Sequence, residues 1–259
     1  KTLAHRHNPG PNGPCKTLEC VRLMPSIVPS PAARVLPRTR LLIVNSTLHI
    51  GGAEQVAADL VEHINPATIE ASACYLKESG LIAEQMIRAG VRLEPIPGLV
   101  SGRRDYLTSW KLRKLIRRDR VHVIHTHDLH GMIDGAICRL TSPALRFVHT
   151  FHFGNYPHRI LRHRVIERSL WRIADALVAV SHSQAEAISR YHRIPRERIR
   201  VIWNGVNEPV RLSSAIPFER PLPPGVPIIA SVSTLITQKG LGHLLEAAWL
   251  ILGSGERFV

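Results

Sequence analysis

Polar residues that could take part in chemistry follow the apolar runs of this 259-residue sequence. His127 and Asp128 stand just after one apolar run, and His152 stands just after the next. Alternating histidines that leave a strand can act as hydrogen-bond donors, as a general base or as metal ligands. A metal is the least favoured of these roles, because no cysteine or paired carboxylate completes a ligand set. We therefore expect no metal.

Two further turns place polar or small residues at the ends of apolar runs. Gly51 and Gly52 precede a helical pattern, where they let a ligand approach the backbone while the helix N-terminus offers N–H groups to an anion. A Gly-Gly pair at such a turn is also common for structural reasons. Asn204 lies in a tight polar turn after the last predicted strand. Before the predicted helix at 183–190, Ser181 or Ser183 is expected to be the N-cap.

A regular alternation of strand and helix patterns positions these residues. Short continuous apolar runs are typical of strands buried on both faces, and alternation with helices predicts an α/β fold with a doubly wound, Rossmann-like parallel sheet. Ligands of such sheets bind at the carboxyl ends of the strands, where the polar residues stand.

The predicted strands are 41–44, 71–76, 91–93, 121–126, 147–150, 176–180 and 199–203. The predicted helices are 53–64, 81–88, 105–119, 132–140, one ending near 174, and 183–190.

Composition divides the chain into four segments. Residues 1–39 are basic, rich in proline and glycine and without apolar periodicity, which predicts a disordered leader. Residues 40–207 form the predicted sheet domain, and 208–227, with six prolines, form a linker. Residues 228–259 begin a second α/β domain, with a strand at 228–232, a helix at 241–252 and the start of a strand at 258. We expect both ends of the chain to be truncated.

The net charge of +14 and the isoelectric point of about 10.6 call for a polyanionic neighbour. Arginines spread along the whole chain argue against a dedicated nucleic-acid arm, so a phosphorylated substrate or an anionic membrane is favoured over nucleic acid. No apolar run reaches the ~18 residues of a transmembrane helix. The four cysteines form no Cys-x-x-Cys pair, so we expect a cytoplasmic protein, with peripheral contact at the inner face of the membrane as an option.

Six segments in order, from about residue 40 to residue 259, resemble glycosyltransferase family 4, a family of retaining enzymes. They are Gly-Gly-Ala-Glu (51–54), His-Thr-His-Asp (125–128), Thr-Phe-His (150–152), Ala-Asp-Ala-Leu-Val-Ala-Val-Ser (174–181), Val-Ile-Trp-Asn-Gly-Val (201–206) and Gln-Lys-Gly (238–240). The resemblance implies a GT-B fold, in which two Rossmann-like domains face each other across a cleft. This chain would supply the N-terminal, acceptor-side domain and the truncated start of the nucleotide-sugar-binding domain.

The resemblance also implies residue roles. His127 would be the catalytic residue beside the transferred sugar, and Lys239 would contact the diphosphate of a nucleotide-diphosphate sugar. Gly51 and Gly52 would lie near the donor phosphates and the acceptor. No cofactor is expected besides that co-substrate, and the acceptor would be a sugar, a lipid-linked molecule or a small molecule. The remaining candidate ligand-binding residues are Asp128, His152 and Asn204.

Two departures from the family pattern leave an alternative open. The family usually has an arginine five residues before the phosphate-binding lysine, where this chain has Thr234. Its later pair of glutamates falls beyond Val259. The leading interpretation is a glycosyltransferase that is inactive as the truncated chain, and the alternative is a non-catalytic GT-B-like binding module.

The predicted helix at 105–119 has two different sides. Leu112, Leu115 and Ile116 share one face at helical spacing and should pack on the sheet. The opposite side is either a solvated charged face or a surface for an anionic bilayer. Its residues are Arg103, Tyr106, Leu107, Trp110, Lys111, Arg113, Lys114, Arg117 and Arg118.

Overall fold

In the part of the chain that the structure describes, seven strands form one sheet, with every neighbouring pair parallel, in the order β3-β2-β1-β4-β5-β6-β7. The computed structural model describes residues 38–96, 107–152, 161–208, 225–233, 235 and 237–259. The elements are β1 (Thr39–Thr47), α1 (Gly52–His63), β2 (Ile69–Glu78), α2 (Leu81–Arg88), β3 (Arg92–Pro95), α3 (Thr108–Arg118), β4 (Val123–Thr126), α4 (Leu129–Thr141), β5 (Arg146–Phe151), α5 (Leu161–Leu170), β6 (Ala176–Ala179), α6 (His182–His192), β7 (Ile199–Val201) and α7 (Leu241–Gly253).

The strand order confirms the predicted doubly wound α/β sheet. The chain winds outward from β1 to β3, returns through α3 to β4, and then winds the other way. Right-handed crossovers therefore place α1 and α2 on one face of the sheet and α3 to α6 on the other. The strand-end residues of β1, β4 and β5 consequently lie side by side at one edge, at the point where the winding reverses.

Two apolar layers cover the two faces of β1. Leu41 and Ile43 pack in one layer with α1 and α2, whereas Leu42 and Val44 pack in the other layer with α3, α4 and α6. All four side chains are buried. The continuous apolar run therefore has the predicted reason: a central strand has no solvent face.

Helix α4 lies unusually close to the sheet. A Cβ atom on Gly135 would come within 2.8 Å of the Phe147 ring, and one on Gly131 would lie 3.1 Å from Cβ of Thr126. Glycine at both positions lets the helix backbone approach the strands. This approach brings the N-terminus of α4 down to the end of β4, beside the candidate site residues.

Several predicted bounds differ from the structure. Helix α4 begins at Leu129 rather than 132, because Asp128 caps it. The helix predicted to end near 174 ends at Leu170 and continues as one 3-10 turn over Trp171–Ile173. Strands β4 and β7 are shorter than predicted. The predicted start of α3 at 105 and most of the predicted leader and linker lie outside the described residues.

The chain divides into two compact units, Lys1–Val206 and Asn207–Val259. In the second unit the predicted helix is present as α7, but the strand predicted at 228–232 is not formed. Its only backbone pairing among the described residues is with Val259, which donates to Pro227 O at 2.9 Å and accepts from Ile229 N at 2.7 Å. The side chains of residues 228–232 are exposed. Backbone pairing with a single residue, without burial of either face, is not enough to form a strand.

Candidate functional site

Asp128 joins the ends of two adjacent strands. One carboxylate oxygen accepts a hydrogen bond from the backbone N–H of Ser46 at 2.5 Å. The other accepts from the Ser46 hydroxyl at 2.5 Å and from the N–H of Gly131 at 2.8 Å. The Gly131 bond makes Asp128 the N-cap of α4, where a carboxylate also interacts favourably with the helix dipole. This side chain thus fixes the exit of β1 against the start of α4.

His127 and His152 form a hydrogen-bonded pair beyond the ends of β4 and β5. Nδ1 of His127 lies 2.8 Å from Nε2 of His152, and the two rings stack with centroids 5.0 Å apart. The N–H of His127 donates to Val44 O at 3.3 Å, which ties its backbone to β1. Within the described part of the chain, the buried Nε2 of His127 has no hydrogen-bond partner. A buried polar atom of this kind is costly unless something satisfies it, which marks Nε2 as an atom that a ligand could engage.

Two more histidines complete what we call the histidine cluster: His125, His127, His149 and His152. Nε2 of His125 lies 2.7 Å from the hydroxyl of Thr150, and Nδ1 of His149 lies 2.7 Å from the hydroxyl of Thr126. Strand alternation puts His125 on the same sheet face as the His127–His152 pair and His149 on the opposite face. The predicted list of candidates omitted His125 and His149, although this alternation was readable from the sequence.

All four rings of the histidine cluster are neutral at physiological pH. Burial, followed by the proximity of the other three rings, holds the pKa of His127 well below its usual range. Burial and the neighbouring His152 lower the pKa of His125 to about 4. Burial lowers the pKa of His149 to about 3 and that of His152 to about 4, against the opposing effect of Asp128 on His152. A neutral imidazole can donate from one nitrogen and accept at the other.

The His127–His152 bond couples the tautomers of the two rings. If His152 donates from Nε2, then Nδ1 of His127 is the acceptor and its Nε2 carries a proton. In that tautomer Nε2 is a hydrogen-bond donor; in the alternative one it is an acceptor. Either way the second histidine decides what the first can offer to a ligand, as the orienting partner of a functional histidine does.

The Gly51–Gly52 turn is present, but a carboxylate covers it. The side chain of Glu54 folds back over the start of α1, so that a Cβ atom on Gly51 would lie 2.2 Å from its Oε2. The hydroxyl of Thr47 donates to the other oxygen at 3.4 Å. A Cβ on Gly52 would meet nothing within 4 Å. The two glycines therefore differ: Gly51 makes room for Glu54, and Gly52 leaves open space.

The turn after β7 places Asn204 on the surface, next to an exposed tryptophan. The Trp203 ring meets the ring of His182 edge to face, with centroids 5.9 Å apart. Ser181 caps α6 as predicted, accepting from Gln184 N at 3.1 Å, and its hydroxyl also lies 3.1 Å from that of Ser183. Asn204 is thus at the same edge of the sheet as the histidine cluster, with β5 and β6 between β4 and β7.

Lys239 belongs to the second unit. It ends a single 3-10 turn, and Gly240 follows in the left-handed region, with φ of 67°, directly before α7. Such a glycine lets the backbone turn sharply into the helix N-terminus, a common anion-binding arrangement. The side chain of Lys239 is exposed. A surface depression at this helix end is lined by Leu235, Thr237, Gly240, Leu241, Gly242, His243 and Glu246.

In the residues that the structure describes, no group of three or more histidine, cysteine or carboxylate side chains is arranged to hold a metal ion. A search of those residues also finds no helix with the length and apolar character needed to span a bilayer.

A sequence model of one family, Glycosyltransferase Family 4, matches residues 50–208, which is more than half of the chain. The chain belongs to glycosyltransferase family 4. The match covers the histidine cluster, the glycine turn and Asn204, and stops before Lys239. No curated protein matches the chain in a sequence search.

Solved glycosyltransferase structures of the GT-B type share the fold. Anabaena HepE in complex with UDP-glucose is 16% identical, with a TM-score of 0.55 over 66% of this chain and 45% of that one. A glycosyltransferase from Rickettsia africae ESF-5 is 16% identical, with a TM-score of 0.56 over 74% of this chain and 52% of that one. The chain therefore spans about half the length of these proteins. At this identity the likeness establishes the fold.

Proposed function

We propose that this chain is the acceptor-side part of an enzyme that transfers a sugar, with retention, from a nucleotide-diphosphate sugar to an acceptor. The observation that carries the proposal is the His127–His152 pair in a family 4 fold. It presents a neutral, buried imidazole at the reversal point of a doubly wound sheet, where such folds bind ligands, and its Nε2 has no partner among the described residues. The complexes of HepE with UDP and with UDP-glucose support a nucleotide-sugar donor.

The reaction breaks the bond between the anomeric carbon and a diphosphate oxygen and forms a bond from that carbon to an acceptor oxygen on the same face of the sugar. The acceptor hydroxyl gives its proton to the departing diphosphate oxygen, which takes the electron pair of the broken bond, and the released diphosphate then passes that proton to solvent. A neutral imidazole suits contact with the sugar, because it hydrogen-bonds hydroxyl groups without pairing to an anion. In the proposal, Nε2 of His127 contacts the transferred sugar, and His152 orients that ring.

The departing diphosphate requires positive charge and backbone N–H groups. Lys239 and the N-terminus of α7 are proposed to supply them, within the second unit. Gly51 and Gly52 are proposed to border the donor phosphates and the acceptor, which requires the Glu54 carboxylate to swing away from the start of α1. Asn204 is proposed to contact a ligand at the same edge. No metal or other cofactor takes part in this proposal.

Two measurements test the proposed function. A protein in which a complete second domain follows Val259, called the extended protein, should release nucleotide diphosphate from one member of a panel of UDP-, GDP- and ADP-sugars. The glycosylated product should keep the donor's anomeric configuration by NMR. An inverted product would overturn the retaining mechanism. No transfer across the panel, from a folded protein and with a range of acceptors, would favour the binding module.

The 259-residue chain by itself should not catalyse sugar transfer or hydrolysis of a nucleotide sugar. It spans about half the length of its structural relatives, and in the proposal the other half of such a protein supplies the second wall of the donor site. Turnover by this chain at ordinary enzyme rates, on the order of 1 per second or more, would contradict the proposal that the donor site needs further residues.

The second candidate is a non-catalytic GT-B-like binding module. The observation that favours it is Thr234, which stands where the family usually has an arginine. Thr234 lies outside the described residues. The variant Thr234→Arg distinguishes the two candidates in the extended protein: an impaired enzyme should gain turnover, whereas a binding module should gain none.

A further inference from the structure

Helix α3 presents a surface that the proposed chemistry does not use. Leu112, Leu115 and Ile116 are buried against the sheet, as predicted. The side facing away from the sheet carries Leu107, Trp110, Lys114 and Arg117, all exposed. On the neighbouring helix α4, Ile137 and Leu140 are exposed on the outward side as well. We call these six residues the basic apolar face.

Not every cation of α3 belongs to this face. Arg113 donates to Thr141 O at 3.1 Å, across the contact between α3 and α4. Arg118 is engaged with Glu94 at 2.7 Å and with Asp119 at 2.9 Å. These contacts engage both guanidinium groups, so neither arginine is counted in the basic apolar face. Arg103 and Tyr106 lie outside the described residues and Lys111 is half-buried, so the cations of the basic apolar face are Lys114 and Arg117.

The chemistry of the basic apolar face differs from that of an ordinary solvated helix. Trp110 is 53% exposed and Leu107 is 58% exposed, although a tryptophan is usually largely covered. Nζ of Lys114 lies 3.7 Å above the Trp110 ring, which keeps the charge beside the aromatic surface. Residues 108–118 contain no carboxylate. Cations and apolar groups therefore share one surface without acidic neighbours on that helix.

We propose that the basic apolar face binds the headgroup region of an anionic lipid bilayer. Tryptophan and leucine gain free energy at the boundary of headgroups and acyl chains, and lysine and arginine gain it from anionic lipids. A nucleic acid would use the cations but would make no use of the exposed apolar side chains of Ile137 and Leu140. The net charge of +14 gives long-range attraction to an anionic surface. This proposal is separate from the proposed reaction, because vesicle binding needs neither donor nor acceptor.

The test is co-sedimentation of the 259-residue chain with vesicles of phosphatidylcholine, alone and with increasing fractions of phosphatidylglycerol. Binding should rise with the phosphatidylglycerol fraction and fall as salt is added. Lys114→Gln and Arg117→Gln should each lower the partition constant about fivefold, and the double variant about 25-fold, since each basic residue contributes by about that factor. The matched control Arg88→Gln/Arg200→Gln removes two exposed arginines elsewhere and should change binding less than twofold.

A second pair of variants separates this face from other apolar surfaces. Trp249 on α7 is 72% exposed and could adsorb to any vesicle. Trp110→Ala should weaken binding to vesicles that contain phosphatidylglycerol, whereas Trp249→Ala should leave the dependence on phosphatidylglycerol unchanged. Equal binding by wild type, Lys114→Gln/Arg117→Gln and Trp110→Ala would overturn the proposal. Preference for duplex DNA over anionic vesicles would overturn it as well.

Discussion

Within the described part of the chain, His127 is the member of the histidine cluster with a fully buried ring nitrogen, Nε2, that has no hydrogen-bond partner. Each of the other three histidines forms a hydrogen bond through one ring nitrogen: His125 with Thr150, His149 with Thr126, and His152 with His127. The sequence pointed to His127 and His152 because both follow strands. It did not reveal that they bond to each other, because that depends on how far each chain segment continues beyond its strand before it turns away.

Replacing His127 tests the assignment directly. In the extended protein, His127→Ala should lower turnover by roughly 10²-fold, the scale expected for one well-placed polar group in a closed site. His63→Ala, at the exposed end of α1, is the matched control and should leave turnover unchanged. Steady-state kinetics with unfolding curves of both variants provide the measurement. Normal turnover by His127→Ala would make this side chain structural.

The two glycines of the first turn should respond in opposite directions to alanine. Gly51→Ala should destabilise the chain by roughly 1 kcal/mol, because the methyl group displaces Glu54 from the helix start and alanine is a poor N-cap. Gly52→Ala should stabilise it by up to about 1 kcal/mol, since the position is helical and open. Urea unfolding measures both. Effects of the same sign would contradict the observed position of Glu54.

At the level of secondary structure, sequence periodicity was most informative where a local pattern decides the element. Helix α2 has the predicted bounds, Leu81–Arg88, because its apolar spacing and its glycine neighbours are local signals. Helix α4 begins three residues earlier than predicted, because its cap depends on Asp128 and its approach to the sheet on two glycines. The role of Asp128 in holding Ser46 could not be predicted, since the two residues are 82 positions apart.

Asp128 should contribute more to stability than an ordinary helix cap. Asp128→Ala removes the cap of α4 and both bonds to Ser46, and should cost roughly 2–4 kcal/mol. Ser181→Ala removes only the cap of α6 and should cost about 1 kcal/mol. Chemical denaturation of both variants gives the difference, which isolates the link between β1 and α4. Equal losses would mean that the Ser46 bonds contribute nothing.

At the scale of the whole molecule, the four neutral histidines make folding sensitive to acid. Their pKa values in the folded chain lie below 6.5, the value of a free histidine, so between the two values the unfolded chain binds more protons. Stability is therefore complete above about pH 6.5 and falls as the pH drops below it. Each such histidine contributes a slope of roughly 1.4 kcal/mol per pH unit in this window.

Unfolding free energies measured from about pH 7 to about pH 5 test this acid sensitivity. For the wild type, the slope of the unfolding free energy against pH should correspond to the uptake of several protons on unfolding. His149→Gln should reduce it by about one proton, because the folded-state pKa of His149, about 3, lies below the whole window. A stability that is flat over this range would mean that the cluster is not buried and neutral.

The neutrality of the histidine cluster also affects which ligands the sheet edge can tell apart. The residues directly after β1, β4, β6 and β7 include no lysine or arginine, in a chain with a net charge of +14. Glu54 and Asp128 add carboxylates there. An uncharged polyol meets hydrogen-bonding groups at this edge, whereas a phosphate gains little from the charge of the chain. Ionic strength therefore separates the two kinds of recognition: sugar contacts at the edge should tolerate salt, and attraction through the outer helices should not.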